Sequence, residues 1–202
     1  GDYHAREADA ENPSATSLRE RLSRGEEIRD FIPAQAAEIY HSARQYDLCS
    51  GERAMLAGLR LLQEEAWSKT AHGSEGLWSK AMKAAREKGS LEGVIAATKS
   101  KRYPRTRIQR LLLCAFLGIT QEDLKRPVSH VRALAFDETG RGILRRMRET
   151  GELPIVNAGE KPEDGALYDL ELRAGRLYPL FCRDGTIPDG NAEENLRIFL
   201  KK

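Results

Sequence analysis

Residues 99–120 read KSKRYPRTRIQRLLLCAFLGIT, and the fold is decided by how this stretch is read. Ile108, Leu111, Leu112 and Ala115 recur at the spacing of a single helix face, so the second half is an amphipathic helix with a buried stripe. Thr106 followed by Gln109 matches a capping box and sets the helix start at Arg107. Before it and along its first turn stand Lys99, Lys101, Arg102, Arg105, Arg107 and Arg110, with no acid among them. Arg107 and Arg110 share a flank of the helix, while Lys101, Arg102 and Arg105 fall in the approach loop. Like charges gathered in this way repel, which calls for a partner anion or a nearby acidic surface. Polyanion binding is therefore the functional reading, and a solvated face the plain one. Tyr103, inside the run, either stacks on an unpaired base or packs beside Pro104.

Helical signals continue upstream. The stretch 14–20 offers capping hydroxyls at Ser14 or Ser17, the latter with Glu20 as a capping box, and predicts a helix to about Gly25. Pro33 opens a second helix with Ala36, Ala37 and Tyr40 as its apolar positions. A third follows Ser50-Gly51 and buries Met55, Leu56, Leu59 and Leu62; a fourth, over 74–88, buries Leu77, Ala81, Met82 and Ala85 and stops at Gly89. Ser90 caps a short helix with Leu91, Val94 and Ile95 inward.

Downstream the pattern changes. Thr120 to Asp123 opens a short helix ended by Pro127, and residues 130–136 alternate as a strand. A basic helix over 139–150, a short strand over 153–156 and a final helix over 166–181 follow. The expected fold class is mainly α (α+β), a multi-helix bundle followed by a small strand-helix-strand-helix element. Residues 183–202 are expected to form a loose tail.

Across 202 residues, 33 Lys and Arg against 31 Asp and Glu leave a net charge of +2, so any nucleic-acid footprint is local. No stretch approaches the roughly 18 apolar residues that a membrane helix needs, and the N-terminal residues are polar and acidic. The expectation is a cytoplasmic protein with no membrane partner. Cys49, Cys114 and Cys182 are odd in number and widely spaced, as in a reducing compartment. His4, His41, His72 and His130 lack ligand spacing, so no metal site is expected.

No complete catalytic constellation is visible. Gly140-Arg141-Gly142 is too little for a phosphate loop and reads as a strand-to-helix turn. Residues 109–126 outline a helix-turn-helix, the alternative DNA-binding reading, although Glu122 and Asp123 then place carboxylates where bases are read. A third reading is a structural helical module without a nucleic-acid partner, its basic edge covered by Glu26-Glu27 or Glu64-Glu65.

The run from Lys99 to Arg110, with Leu111 to Thr120 after it, resembles the signature of the bacterial tRNA(Met) cytidine acetate ligases, which are nucleotidyltransferase-related. The Ser14-Ala15-Thr16-Ser17-Leu18-Arg19 stretch is similar to that family's Ser-Ala-Thr-x-Ile-Arg motif, with Leu18 in place of isoleucine. Glu75-Gly76-Leu77 resembles its Glu-Gly-Leu segment, and residues 131–136 with Gly140 its C-terminal strand and turn. The resemblance covers about Tyr3 to Leu180 and implies an enzyme that adenylates acetate with ATP, with Mg, and passes the acetyl group to N4 of the wobble cytidine of elongator tRNA(Met).

It implies tRNA contact at Lys99, Lys101, Arg102, Tyr103, Arg105, Arg107 and Arg110. By the same analogy Ser14, Thr16 and Arg19 face the nucleotide, and no other catalytic residue is assigned. The family's N-terminal Rossmann-like catalytic domain carries a Gly-x-Phe-x-Pro-x-His-x-Gly-His-like loop, which is absent from this sequence. The expectation is thus a C-terminal portion without the adenylation site, which binds tRNA, binds no cofactor itself, is inactive alone, and has the missing catalytic domain as a second partner. Expected boundaries are 1–32 for the edge of the nucleotidyltransferase domain with a linker helix, 33–127 for a helical tRNA-binding domain, 128–182 for the small α/β element and 183–202 for the tail.

Overall fold

The computed structural model describes residues 13–183 and 185–200, within two compact units, Gly1–Gln45 and Tyr46–Lys202. The polar lead-in expected over the first residues lies mostly outside the described residues. In the first unit, α1 (Ala15–Ser23) begins where the Ser14 hydroxyl accepts a hydrogen bond from the Ser17 backbone N–H at 3.2 Å. Ser14 is the cap, so the box expected from Ser17 and Glu20 falls inside a helix already under way. Pro33 immediately precedes α2 (Ala34–Ser42), as its fixed φ favours.

The second unit is built on α3 (Leu48–Leu61), α4 (Glu64–Lys69), α5 (Leu77–Glu87), α6 (Leu91–Thr98) and α7 (Arg105–Leu117). Their apolar faces meet in one core in which Leu59, Trp67, Leu77, Val94, Ile108, Leu111 and Leu112 are almost wholly removed from water. Each such large side chain contributes about 1.5–3 kcal/mol on burial. Asp47 starts α3 ahead of the expected Ser50-Gly51 by accepting from the Ser50 N–H at 2.7 Å. Arg60 donates to the carbonyls of Ala85 at 3.0 Å and Lys88 at 2.8 Å, satisfying acceptors at the end of α5. Glu52 accepts from the Leu91 N–H at 2.8 Å, and Ser90 from the Gly93 N–H at 3.0 Å, so two side chains cap α6.

Helix α7 starts at Arg105 rather than Arg107, because Pro104 needs no N–H partner at the cap and its φ of −68° leads into the helix. Thr106 and Gln109 lie within the helix and form no box. Gly118, at φ 69°, ends it in the left-handed conformation, and Arg173 donates to the carbonyls of Leu117 at 2.9 Å and Gly118 at 3.3 Å.

After α7 the chain makes only a 3-10 turn at Asp123–Lys125. Thr120 and Asp123 cap one another: Asp123 accepts from the Thr120 hydroxyl at 2.6 Å and backbone N–H at 2.8 Å, and these bonds hold its carboxyl below the usual carboxylate range. Glu122 pairs with Lys125 and Asp123 with Arg126. One 3-10 turn whose acids are spent internally provides no recognition helix, so the helix-turn-helix reading is corrected.

Strands β1 (Val131–Ala133) and β2 (Ala135–Phe136) precede α8 (Glu138–Thr150), β3 (Ile155–Asn157) and α9 (Ala166–Leu177). β1 pairs with β3 in parallel, Val131 opposite Ile155, with α8 in the crossover between them. Asp137 caps α8 by accepting from the Gly140 N–H at 2.8 Å, so Gly140 and Gly142 lie inside the start of this helix and not in the strand-to-helix turn expected of them. The expected loose tail returns as β4 (Phe199–Leu200), parallel to β2. Arg132 fixes that return by pairing with Glu193 at 3.2 Å and with Glu171 of α9 at 3.3 Å. Among the described residues, no helix is long and apolar enough to cross a membrane.

Candidate nucleic-acid interface

The core stripe of α7 fixes where its charges point. With Ile108, Leu111, Leu112 and Ala115 buried, Arg105 and Arg110 are exposed and Arg107 is half-buried at the start of the helix. Residues 99–104 lead from α6 into α7, with Lys99, Lys101 and Arg102 exposed. The structure thus gathers Lys99, Lys101, Arg102, Arg105, Arg107 and Arg110 on neighbouring surfaces of one loop and one helix.

Two acids that the sequence reading did not name as partners stand within this edge. Glu75 pairs with Arg102 at 2.7 Å and with Arg107 at 3.7 Å, and Arg107 also donates to the Ser74 hydroxyl at 2.8 Å. Glu92, near the start of α6, accepts both terminal nitrogens of Arg105, at 2.6 and 2.5 Å, in a forked pair. The hydrogen bond from Arg105, supported by its charge and that of Lys99, holds the Glu92 carboxyl below the usual range. The hydrogen bond to Glu75 raises the pKa of Arg102, and that to Glu92 raises the pKa of Arg105. Lys101 and Arg110 have no ion pair among the described residues.

The acids come from the turn before α5 and the first turn of α6, far from α7 in sequence, where a window-by-window charge reading does not look. The signal that finds them is contact between helices: α5 and α6 carry apolar stripes that pack beside α7, so acids near their starts fall next to its cations. The covering acids proposed from sequence are engaged elsewhere, Glu65 with Lys69 and Glu26 with Arg24.

Tyr103 belongs to the core. It is 9% exposed, its hydroxyl donates to the Glu75 carbonyl at 2.8 Å, and the guanidinium carbons of Arg107 and Arg102 lie 5.2 and 5.8 Å from its ring centroid. Of the two readings of Tyr103, stacking on a base and packing within the protein, the burial and the hydroxyl bond favour packing, the ring holding the loop to the turn before α5. Glu75 itself adopts φ 62°, a left-handed conformation that costs a non-glycine residue about 1–2 kcal/mol. Gly76 follows at φ 78°, so the turn bends sharply just where it meets Arg102, Tyr103 and Arg107.

In the other unit, Ser14 sits at the N-cap of α1, with Thr16 and Arg19 exposed in its first turns. The Ser14 hydroxyl is engaged by the Ser17 N–H, leaving Thr16 and Arg19 as the outward polar groups. Among the described residues, no group of three or more His, Cys, Asp and Glu converges as a metal site does. Cys114 is buried and its thiol pKa is pushed up by that burial.

The model of the family described as HIGH Nucleotidyl Transferase matches residues 1–192. The chain belongs to that family. Its curated relatives include the tRNA(Met) cytidine acetate ligase of Limosilactobacillus reuteri (strain DSM 20016), 27% identical over 183 residues, with 89% of this chain and 48% of that protein covered. The ligase of the same description from Thermotoga maritima (strain ATCC 43589 / DSM 3109 / JCM 10099 / NBRC 100826 / MSB8) is 30% identical over 195 residues, covering 83% and 46%. The crystal structure of Thermotoga maritima TmcAL in its apo form I superposes with a TM-score of 0.79 at 27% identity, covering 94% of this chain and 51% of that one. The form II structure bound with alpha-thio ATP gives 0.78 at 28% identity, covering 96% and 53%. The chain spans about half the length of the curated relatives it matches.

The match from residue 1 to residue 192 overturns the expectation of a C-terminal portion from which the nucleotidyltransferase domain is absent. With it falls the expectation of a tRNA-binding region lacking the adenylation site, and a missing catalytic domain as partner finds no support. Taking one absent glycine-histidine loop as the absence of the nucleotidyltransferase domain was too narrow, since the HIGH Nucleotidyl Transferase model matches residues 1–192 of this largely helical chain. Nor is there support for a chain that binds no nucleotide, as one of the ligase structures it resembles holds alpha-thio ATP.

Proposed function

We propose that the chain serves an ATP-dependent ligase acting on tRNA, joining acetate to a cytidine of tRNA(Met), and that the edge formed by the loop 99–104 and the start of α7 meets the tRNA backbone. What supports it is that Lys99, Lys101, Arg102, Arg105, Arg107 and Arg110 fall in the loop before α7 and the first turns of that helix, which a fully buried stripe anchors. Guanidinium groups suit forked contacts to phosphate oxygens, and contacts of this kind position an RNA without reading its bases. The relatives described as tRNA(Met) cytidine acetate ligases supply the substrate class and the reaction. Thr16 and Arg19, with Ser14 as the cap beneath them, are the proposed nucleotide-facing group, their hydroxyl and guanidinium suiting phosphate oxygens.

The test is charge reversal on the edge. Arg107→Glu combined with Arg110→Glu is expected to weaken tRNA binding by roughly tenfold or more and to flatten the log-log salt dependence by about two units, one for each lost phosphate contact. Binding measured by filter retention, beside a thermal melt to confirm folding, checks this. Undiminished affinity in the folded double variant contradicts the assignment.

A further inference from the structure

A cavity of about 620 Å³ opens beside the basic edge, between the starts of α3 and α6 and the outward side of α7. Its walls are apolar: Leu48 and Met55 come from α3, Leu91 and Ile95 from α6, and Leu112 and Leu113 from α7. Leu48 and Leu113 are 57% and 45% exposed, so hydrocarbon is left in water next to a group of cations. Among the polar residues lining the cavity, Thr106, Gln109 and Arg110 are exposed on α7, and their side chains have no hydrogen-bond or ion-pair partner among the described residues. Arg105 lines it in its pair with Glu92, and Glu52 lines it with one carboxylate oxygen spent on the Leu91 N–H. Such a size, with apolar walls and a few converging polar groups, is that of a ligand site.

We propose that this cavity takes an unpaired base of the RNA strand whose phosphates lie along the basic edge, an inference that rests on the reading of that edge given above. Arg110 belongs both to the edge and to the cavity, and Leu113 is its neighbour one turn further along the same face of α7. A phosphate on Arg110 and a flat apolar ring against Leu113 are therefore parts that one nucleotide supplies together. The base covers hydrocarbon that phosphate contacts alone leave wet. Gln109, with a donor and an acceptor on one amide, and the Glu52 carboxylate suit the amino and carbonyl groups of a base edge. In a duplex the bases are stacked and paired, whereas in an RNA loop they splay out and enter apolar pockets. The cavity thus selects for unpaired nucleotides, while the cations attract any polyanion.

Leu48→Asn with Leu113→Asn removes exposed hydrocarbon from two walls and leaves every charge in place. Affinity for tRNA(Met) is expected to fall about five- to tenfold, the loss of roughly one base contact. The log-log salt slope is expected to stay as in the parent, because an apolar contact releases no counterions. A fully paired RNA duplex, with no base to insert, is expected to bind parent and variant alike. A second readout needs no substitution: Cys49 is exposed and lines the cavity, so its alkylation by iodoacetamide, followed by mass spectrometry of its peptide, reports occupancy. Saturating tRNA(Met) is expected to slow that reaction several-fold, and CMP at the same concentration is expected to leave it unchanged. The proposal is overturned if the double variant, melting like the parent, keeps its tRNA affinity or loses tRNA and duplex binding alike. It is equally overturned if Cys49 reacts in the tRNA complex at its free rate, or if CMP protects it as well as tRNA does. Failure of the underlying edge is seen separately, as tRNA binding that ignores the Arg107→Glu and Arg110→Glu pair.

Discussion

Trp67→Ala is expected to lower the unfolding free energy by about 3–5 kcal/mol, the range for removing a large aromatic from a packed core. Trp67 has no exposure to solvent and lies in the same cluster as Leu59, Leu77 and Leu111. Its indole N–H donates to the Leu59 carbonyl at 3.3 Å, so the substitution also leaves that acceptor without its side-chain donor. The short helix α4 has little else to hold it, since Trp67 is its one buried residue. For a chain of this size the loss corresponds to roughly 6–20 °C in the melting temperature, read by calorimetry or circular dichroism. A shift under about 2 °C, below the least that such a loss produces, contradicts the packing described here.

Leu111→Ala is expected to cost about 2–5 kcal/mol, again through lost burial and a cavity that close-packed neighbours fill only in part. Leu111 is wholly buried on the inward face of α7, the same helix that carries Arg107 and Arg110 in its first turns. Loosening that face weakens the support of the basic edge without touching a charge. At a temperature where the variant is still folded, tRNA affinity is expected to fall far less than with charge reversal. Chemical denaturation gives the stability change, and binding on the same samples gives the comparison.

These two positions show how much of the fold was legible. Leu111 stands in a clear helical period, and its burial follows from residues 108–115 alone. Trp67 lies in a six-residue helix, too short for a period to emerge, and its burial is decided by α3 and α5 closing over it. The start of α7 was misplaced for a related reason: Thr106 and Gln109 fit a cap pattern, but Pro104 had already set the backbone for a helix. The tail looked loose because Phe199 and Leu200 acquire meaning only beside β2, more than sixty residues earlier.

The candidate site divides along the same line. Its cations are contiguous in sequence and could be read directly, whereas Glu75 and Glu92 reach them only through the packing of α5 and α6 beside α7. Tyr103 shows the limit of composition: an aromatic within a basic run resembles a stacking platform, yet its hydroxyl bond to Glu75 and its burial make it part of the scaffold. The family was legible in its motifs, whereas the part of it that the chain represents was not, because the absent glycine-histidine loop was given more weight than the length of chain that the family shares.

In the function proposed above, the start of α7 and the loop before it meet the phosphates of tRNA. The measurement that bears on it most directly is a titration of the chain with tRNA(Met) and with duplex DNA across a series of salt concentrations. The predicted result is tighter binding to tRNA(Met) with a log-log salt slope of about −3 to −5, as some four to six phosphate contacts give. Preference for duplex DNA, or no binding to tRNA even at low salt, would contradict it.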